Sequence, residues 1–105
     1  MDLKRLYYFV TVVNEGNISH AAKKLHMSQP PLNTQMRLLE KELSCTLFER
    51  GSRQIRLTEA GKLLYERALT MLELSNQTKK ELLNYRNGTS GTIRLGVISS
   101  VSCTL

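Results

Sequence analysis

Leu3, Leu6, Val10 and Val13 recur at steps of three, four and three, which places them on one stripe of an α-helix. Tyr7 and Phe9 widen that stripe. Asp2 stands where an acidic residue favours a helix start, and Gly16 follows Glu15 as a natural stop. A first helix is therefore expected over about residues 3–15, with a role in the core. Tyr7 and Tyr8 are read as packing residues rather than as base-stacking ones. Ser19 is expected to cap a short second helix, because its hydroxyl can accept from an unpaired N–H one turn on. Ala21, Ala22 and Leu25 give that helix a small-residue face that a partner helix can approach closely, while Lys23 and Lys24 point elsewhere. It is expected to end near Leu25–His26.

Ser28 is the next expected cap, followed by Gln29, Pro30 and Pro31. Proline is tolerated in a first turn, where its missing N–H has no partner within the helix, so the two prolines mark a beginning. Leu32, Met36, Leu39 and Leu43 step by four, three and four and form the buried stripe of a third helix. At about 100° per residue, Pro30, Asn33, Thr34 and Arg37 fall on the opposite side. That outward face is short-chained and polar, with a guanidinium one turn on. A merely solvated helix more often carries Glu and Lys, as Glu40, Lys41 and Glu42 do further along. Residues 18–37 thus read as two short helices joined by a tight turn, the second presenting a polar face.

Beyond them, Leu47–Arg50 and Gln54–Leu57 flank Gly51, Ser52 and Arg53. Ile55 and Leu57 alternate with Gln54 and Arg56, the pattern of a strand with one buried face. A small hairpin with Arg50 and Arg53 at or near its tip is expected. Thr58 then caps a long helix with Glu59 in its first turn, reaching about residue 88, or about 45 Å at roughly 1.5 Å per residue. Leu64, Ala68, Met71, Ser75, Thr78, Leu82 and Tyr85 keep a four-three spacing along it, and Tyr65, Leu69, Leu72 and Leu83 form a neighbouring stripe. A domain of this size cannot cover both stripes. The spacing is that of coiled-coil packing against a second chain, through Leu64, Ala68, Met71, Leu72, Leu82 and Tyr85. Residues 87–91 read as a hinge, and 92–98 as a strand of the continuous apolar kind found in buried parallel sheets. One such strand is not stable alone, so the chain reads as a fragment of something longer.

Composition narrows the function. The net charge is +6 over 105 residues, and residues 1–57 hold nine Lys/Arg against five Asp/Glu. A basic first half suits nucleic acid, an anionic membrane or plain solubility. No apolar run approaches the about 18 residues of a membrane span, and the opening residues leave no room for a signal peptide, so a cytoplasmic location is expected. Cys45 and Cys103 are far apart without a CxxC, and free thiols are preferred to a disulfide. His20 and His26 are six apart, off the spacing of a helical metal pair, and no cofactor is expected. The sequence carries no P-loop, GxSxG or paired carboxylates in a pocket-forming context, which argues against an enzyme. A helical adaptor would account for the long helix but not for the polar face or the basic hairpin.

Five pieces in order, Ala21-Ala22 with Leu25, Ser28-Gln29-Pro30, Leu39-Glu40 with Leu43, Leu47-Phe48-Glu49-Arg50 and Leu57-Thr58-Glu59-Ala60-Gly61, resemble the N-terminal region of LysR-type transcriptional regulators. The likeness spans residues 1 to about 98. It implies a mainly α fold: a winged helix-turn-helix over 1–58 with its core at 18–37, a dimerising linker helix over 59–88, and over 89–105 a hinge and the truncated start of an α/β effector domain. It further implies double-stranded DNA as partner, a dimer through the linker helix or a tetramer at full length, and a small-molecule inducer bound by the absent domain. Carried over by position, Gln29, Pro30, Pro31, Asn33, Thr34 and Arg37 lie toward the major groove, and Arg50 and Arg53 on the wing. Ser19, Lys23 and Lys24 are assigned to phosphates, and Ser28 is counted among the DNA-binding residues. Asn33 departs from the serine common in the family, Pro31 from alanine, and Ser44 from the glycine that commonly closes the third helix, so a strained turn is expected there.

Overall fold

A computed structural model of the protein describes residues 1–49, 51 and 54–86. Four helices follow one another: α1 (Leu3–Glu15), α2 (Ile18–Lys24), α3 (Gln29–Leu43) and α4 (Glu59–Arg86). The chain divides into two compact units, Met1–Leu72 and Glu73–Leu105.

The first unit is built on α1, α2 and α3, each of which packs on the other two. Leu6, Phe9, Val10 and Val12 of α1, Ala21 and Ala22 of α2, and Leu32, Met36 and Leu39 of α3 are buried together, with Leu47 and Ala68 completing the core. Each large apolar side chain taken fully out of water contributes about 1.5–3 kcal/mol, so this cluster dominates the unit's stability. The stripe expected on α1 is displaced. Leu6, Val10 and Phe9 are buried, but Leu3 is 44% and Tyr7 51% exposed. Phe9 turns inward and meets Phe48 at 5.5 Å between tilted rings.

Helix ends follow local chemistry. The Asp2 carboxylate accepts from the Arg5 N–H at 2.8 Å, and Gly16 closes α1 at φ 84°. The start of α2 corrects the sequence reading. Asn17, not Ser19, is the cap; its side-chain oxygen accepts from the His20 N–H at 2.7 Å, and Ser19 lies within the helix. Ser28 does hold the cap position of α3 but makes no side-chain cap bond; two prolines in the first turn leave few N–H groups to satisfy.

Both ends of the α2–α3 pair close the same way. At the first, Met27 N–H donates to Ala22 O and His26 N–H to Lys23 O. At the second, Cys45 N–H donates to Glu40 O and Ser44 N–H to Lys41 O. These are Schellman pairings, which put one residue in the left-handed region. His26 (φ 56°) and Ser44 (φ 53°) occupy it without being glycine. Such a conformation costs a Cβ-bearing residue roughly 1–2 kcal/mol. The strain expected at Ser44 is thus present in the backbone.

Among the described residues the wing consists of one antiparallel bridge, Phe48 to Leu57, with Glu49 N–H donating to Arg56 O at 2.8 Å; Arg50, Ser52 and Arg53 lie outside them. Contacts from three directions hold it. The Glu40 carboxylate accepts from Leu47 N–H at 2.8 Å and Phe48 N–H at 3.2 Å. Ile55 N–H reaches back to Gly16 O. Thr58 N–H donates to Leu47 O at 3.0 Å, and the Thr58 hydroxyl accepts from Gly61 N–H, capping α4.

In its first turns α4 comes so close to this segment that only glycine fits. A Cβ built on Gly61 would stand 2.3 Å from the carbonyl oxygen of Leu47. That oxygen belongs to rigid backbone and already accepts from Thr58. Gly61→Ala should therefore destabilise the domain by about 1–3 kcal/mol, the usual range for overpacking. Urea unfolding followed by circular dichroism measures it; a change below about 0.5 kcal/mol, the scatter of neutral surface substitutions, would show that α4 is not seated as described.

Candidate nucleic-acid interface

The candidate surface is one side of α3. Its other side is fixed: Leu32 and Leu39 are fully buried and Met36 nearly so. Pro30, Pro31, Gln29, Thr34 and Arg37 are consequently exposed, while Asn33 is half-buried. This is the polar face the spacing predicted, with Asn33 at its edge. The two prolines fix the backbone at the N-terminal end, where helix N–H groups and the helix dipole favour an anion. Arg37 and Lys23 make no ion pair among the described residues, so both remain available to a phosphate or a base. Lys24 is drawn toward Glu15 at 3.9 Å.

Around that face, Ser28, Lys23, His20 and His26 are exposed and Ser19 is half-buried. Arg50 and Arg53 lie outside the described residues, as do the hinge and strand expected over 89–105.

What positions α3 lies on its far side and left no local mark in the sequence. Arg5 of α1 donates through Nε to Gln35 Oε1 at 2.8 Å and pairs through Nη1 with Glu42 at 3.3 Å. Glu42 also receives the Met1 α-amine. The hydrogen bond from that amine, aided by its charge and that of Arg5, outweighs desolvation and holds the Glu42 carboxyl below its ordinary range. Gln35 and Glu42 are seven apart on α3, two turns of one face. The signal was their shared register, but nothing local named Arg5 as partner. Asn17 was missed for a different reason: two residues suited to capping stand two positions apart, and sequence alone does not choose between them.

The residues expected to join two copies divide into two groups. Ala68 is fully buried within its own unit, and Leu64, Met71 and Leu72 pack against the same core. Ala68 is therefore corrected from an interface residue to a core residue. The first half of α4 lies against the winged domain, which covers Ala68 fully and Leu64, Met71 and Leu72 only in part. Leu82 and Tyr85 are exposed, at 61% and 51%, as are Leu74 and Leu83.

Among the described residues, no helix is long and apolar enough to cross a membrane. Among the described residues, no cluster of three His, Cys, Asp or Glu side chains is placed to hold a metal.

Three helices with a close-packed α2–α3 pair, a wing and a long following helix define a winged helix-turn-helix. The sequence profile of the bacterial regulatory helix-turn-helix proteins of the lysR family matches residues 3–62. The HTH-type transcriptional regulator BudR of Klebsiella aerogenes is 41% identical over 100 residues, 95% of this chain and 70% of that protein. Among solved structures, a complex of the BenM DBD with the catB site 1 DNA superposes with a TM-score of 0.83 at 39% identity, covering 85% of this chain and 96% of that one. The CbnR DBD–DNA complex gives a TM-score of 0.78 at 41% identity, covering 82% and 99%. The chain belongs to the lysR family of bacterial helix-turn-helix regulators. It spans about a third of the length of several other curated relatives it matches.

Proposed function

We propose that this chain is the DNA-reading and dimerising part of a LysR-type transcriptional regulator that works by binding in the cytoplasm and not by catalysis. One observation carries the reading. A helix buried on one side by Leu32, Met36 and Leu39 offers on the other a short polar face with an unpaired arginine. Such a face enters a major groove without long charged side chains in its way. Gln29 has the paired donor and acceptor that match adenine, and Arg37 the fork that matches guanine or a phosphate. Thr34 and Asn33 reach the neighbouring edges, and the Pro30–Pro31 turn brings the helix N-terminus to the backbone. Ser19, Ser28 and Lys23 bind phosphates, and Arg50 and Arg53 extend the contact from the wing. Likeness to chains solved on DNA supports this assignment.

The domain boundaries follow. Residues 1–58 read DNA, 59–88 link two copies, and 89–105 begin a domain through which a small-molecule inducer acts. The exposed Leu74, Leu82, Leu83 and Tyr85 of the second unit support pairing of two copies there. Two readers held together recognise a partly palindromic site with half-sites about one helical turn apart, or a multiple of it.

Titration of duplex operator DNA over a salt series tests the reading. Affinity should fall at least about a hundredfold between roughly 50 and 200 mM salt, as four or more released counterions require. Gln29→Ala and Arg37→Ala should each lower specific affinity by about 5- to 150-fold, the equivalent of ~1–3 kcal/mol, with helical content unchanged by circular dichroism. Salt-insensitive binding, or variants that unfold, would contradict it. Separately, Leu82→Glu should shift the sedimenting species from dimer toward monomer. An unchanged dimer would move the interface elsewhere.

A further inference from the structure

A second concave feature lies on the first unit, built from residues that the recognition face does not use. Between the C-terminal end of α3, the segment that follows it, and the first turns of α4 runs an apolar cleft of about 280 Å³. Its walls are Leu43, Leu47, Ala60, Leu63 and Leu64. Leu63 is left 53% exposed. Arg67 is the only charged residue of the lining, and Cys45 brings an exposed thiol.

Arg67 makes no hydrogen bond or ion pair among the described residues, and no carboxylate lines the cleft. An apolar slot beside one solvent-exposed guanidinium complements a molecule with an apolar body and one anionic end. Guanidinium is a planar fork that matches a carboxylate bidentately. A phosphate would call for further cations, and the lining supplies none. The walls are aliphatic throughout, without a ring on which an aromatic body could stack. The volume lies just below the usual range for small-molecule sites, which suits a slender ligand.

We propose that this cleft binds a medium-chain aliphatic carboxylate, its chain along the leucines and its head on Arg67. Leu43 and Leu47 lie on one side of the slot and Ala60, Leu63 and Leu64 of α4 on the other. A bound chain therefore bridges α4 to the wing segment. The proposal is independent of DNA reading, because the cleft shares no residue with the Gln29–Arg37 face.

Cys45 reports occupancy directly. Octanoate is added to the full chain, and alkylation of the Cys45-bearing peptide by N-ethylmaleimide is followed by mass spectrometry. Octanoate at ten times its Kd should slow that alkylation about tenfold, as the fraction of empty sites falls. Octan-1-ol, which keeps the chain and lacks the charge, should protect far less, and Arg67→Gln should abolish protection by octanoate. The octanol arm uses the unaltered chain, so it decides the matter even where the variant loses its fold. No protection at millimolar octanoate would overturn the proposal. So would equal protection by octanol, which signals unspecific apolar contact. Protection that rises with protein concentration and needs no octanoate would assign the cleft to a second copy of the chain instead.

Discussion

The close approach of α2 to the core is the constraint from which the rest of the domain follows. Ala21 and Ala22 are buried almost completely, and in a close-packed interior a larger side chain there would push on α1 and α3. With α2 that close, Leu32 and Leu39 of α3 turn inward together, and the residues between them turn outward. The polar face of α3 is thus the remainder of a packing solution. Its residues need only be short and polar, since the buried side already fixes the helix.

The same economy governs the joints. Two Schellman closures hold the α2–α3 pair, and each places a Cβ-bearing residue in the left-handed region. That strain persists because the surrounding contacts over-determine it. Glu40 fastens the start of the wing to α3 through two backbone N–H groups, and Gly61 lets α4 pass against the same segment. A carboxylate, a carbonyl and the absence of one methyl group set the relation of wing, reading helix and α4 within the first unit. These are also residues of the short motifs by which the family resemblance is read. The motifs are therefore statements about joints as much as about DNA.

Most of the fold was legible because its signals are local. The three-four spacing of Leu32, Met36, Leu39 and Leu43, the prolines at the head of α3 and the glycine after α1 each act within a turn or two. The outward face of α3 followed from the same arithmetic. Three things were not legible. Asn17 and Ser19 are both fit to cap α2, and it is Asn17 whose side-chain oxygen meets the His20 N–H. Leu3 and Tyr7 share the period of the α1 core yet lie beyond the edge of what the other helices cover. The stripe of α4 reads as a face for a second chain, yet Ala68 within it is buried in its own unit, because periodicity reports that a face is buried and not what buries it. Arg5 was silent for a related reason: its partners Gln35 and Glu42 are distant in sequence.

On the proposed function, α3 presents one face to the core and the other to DNA. Amide chemical-shift mapping of the ¹⁵N-labelled protein during titration with operator duplex tests that division directly. Residues 28–37 should move most, with Leu32 and Met36 moving only as their helix does and the 73–86 segment least. Perturbations centred on α1 or α4, with Gln29, Thr34 and Arg37 unmoved, would contradict it.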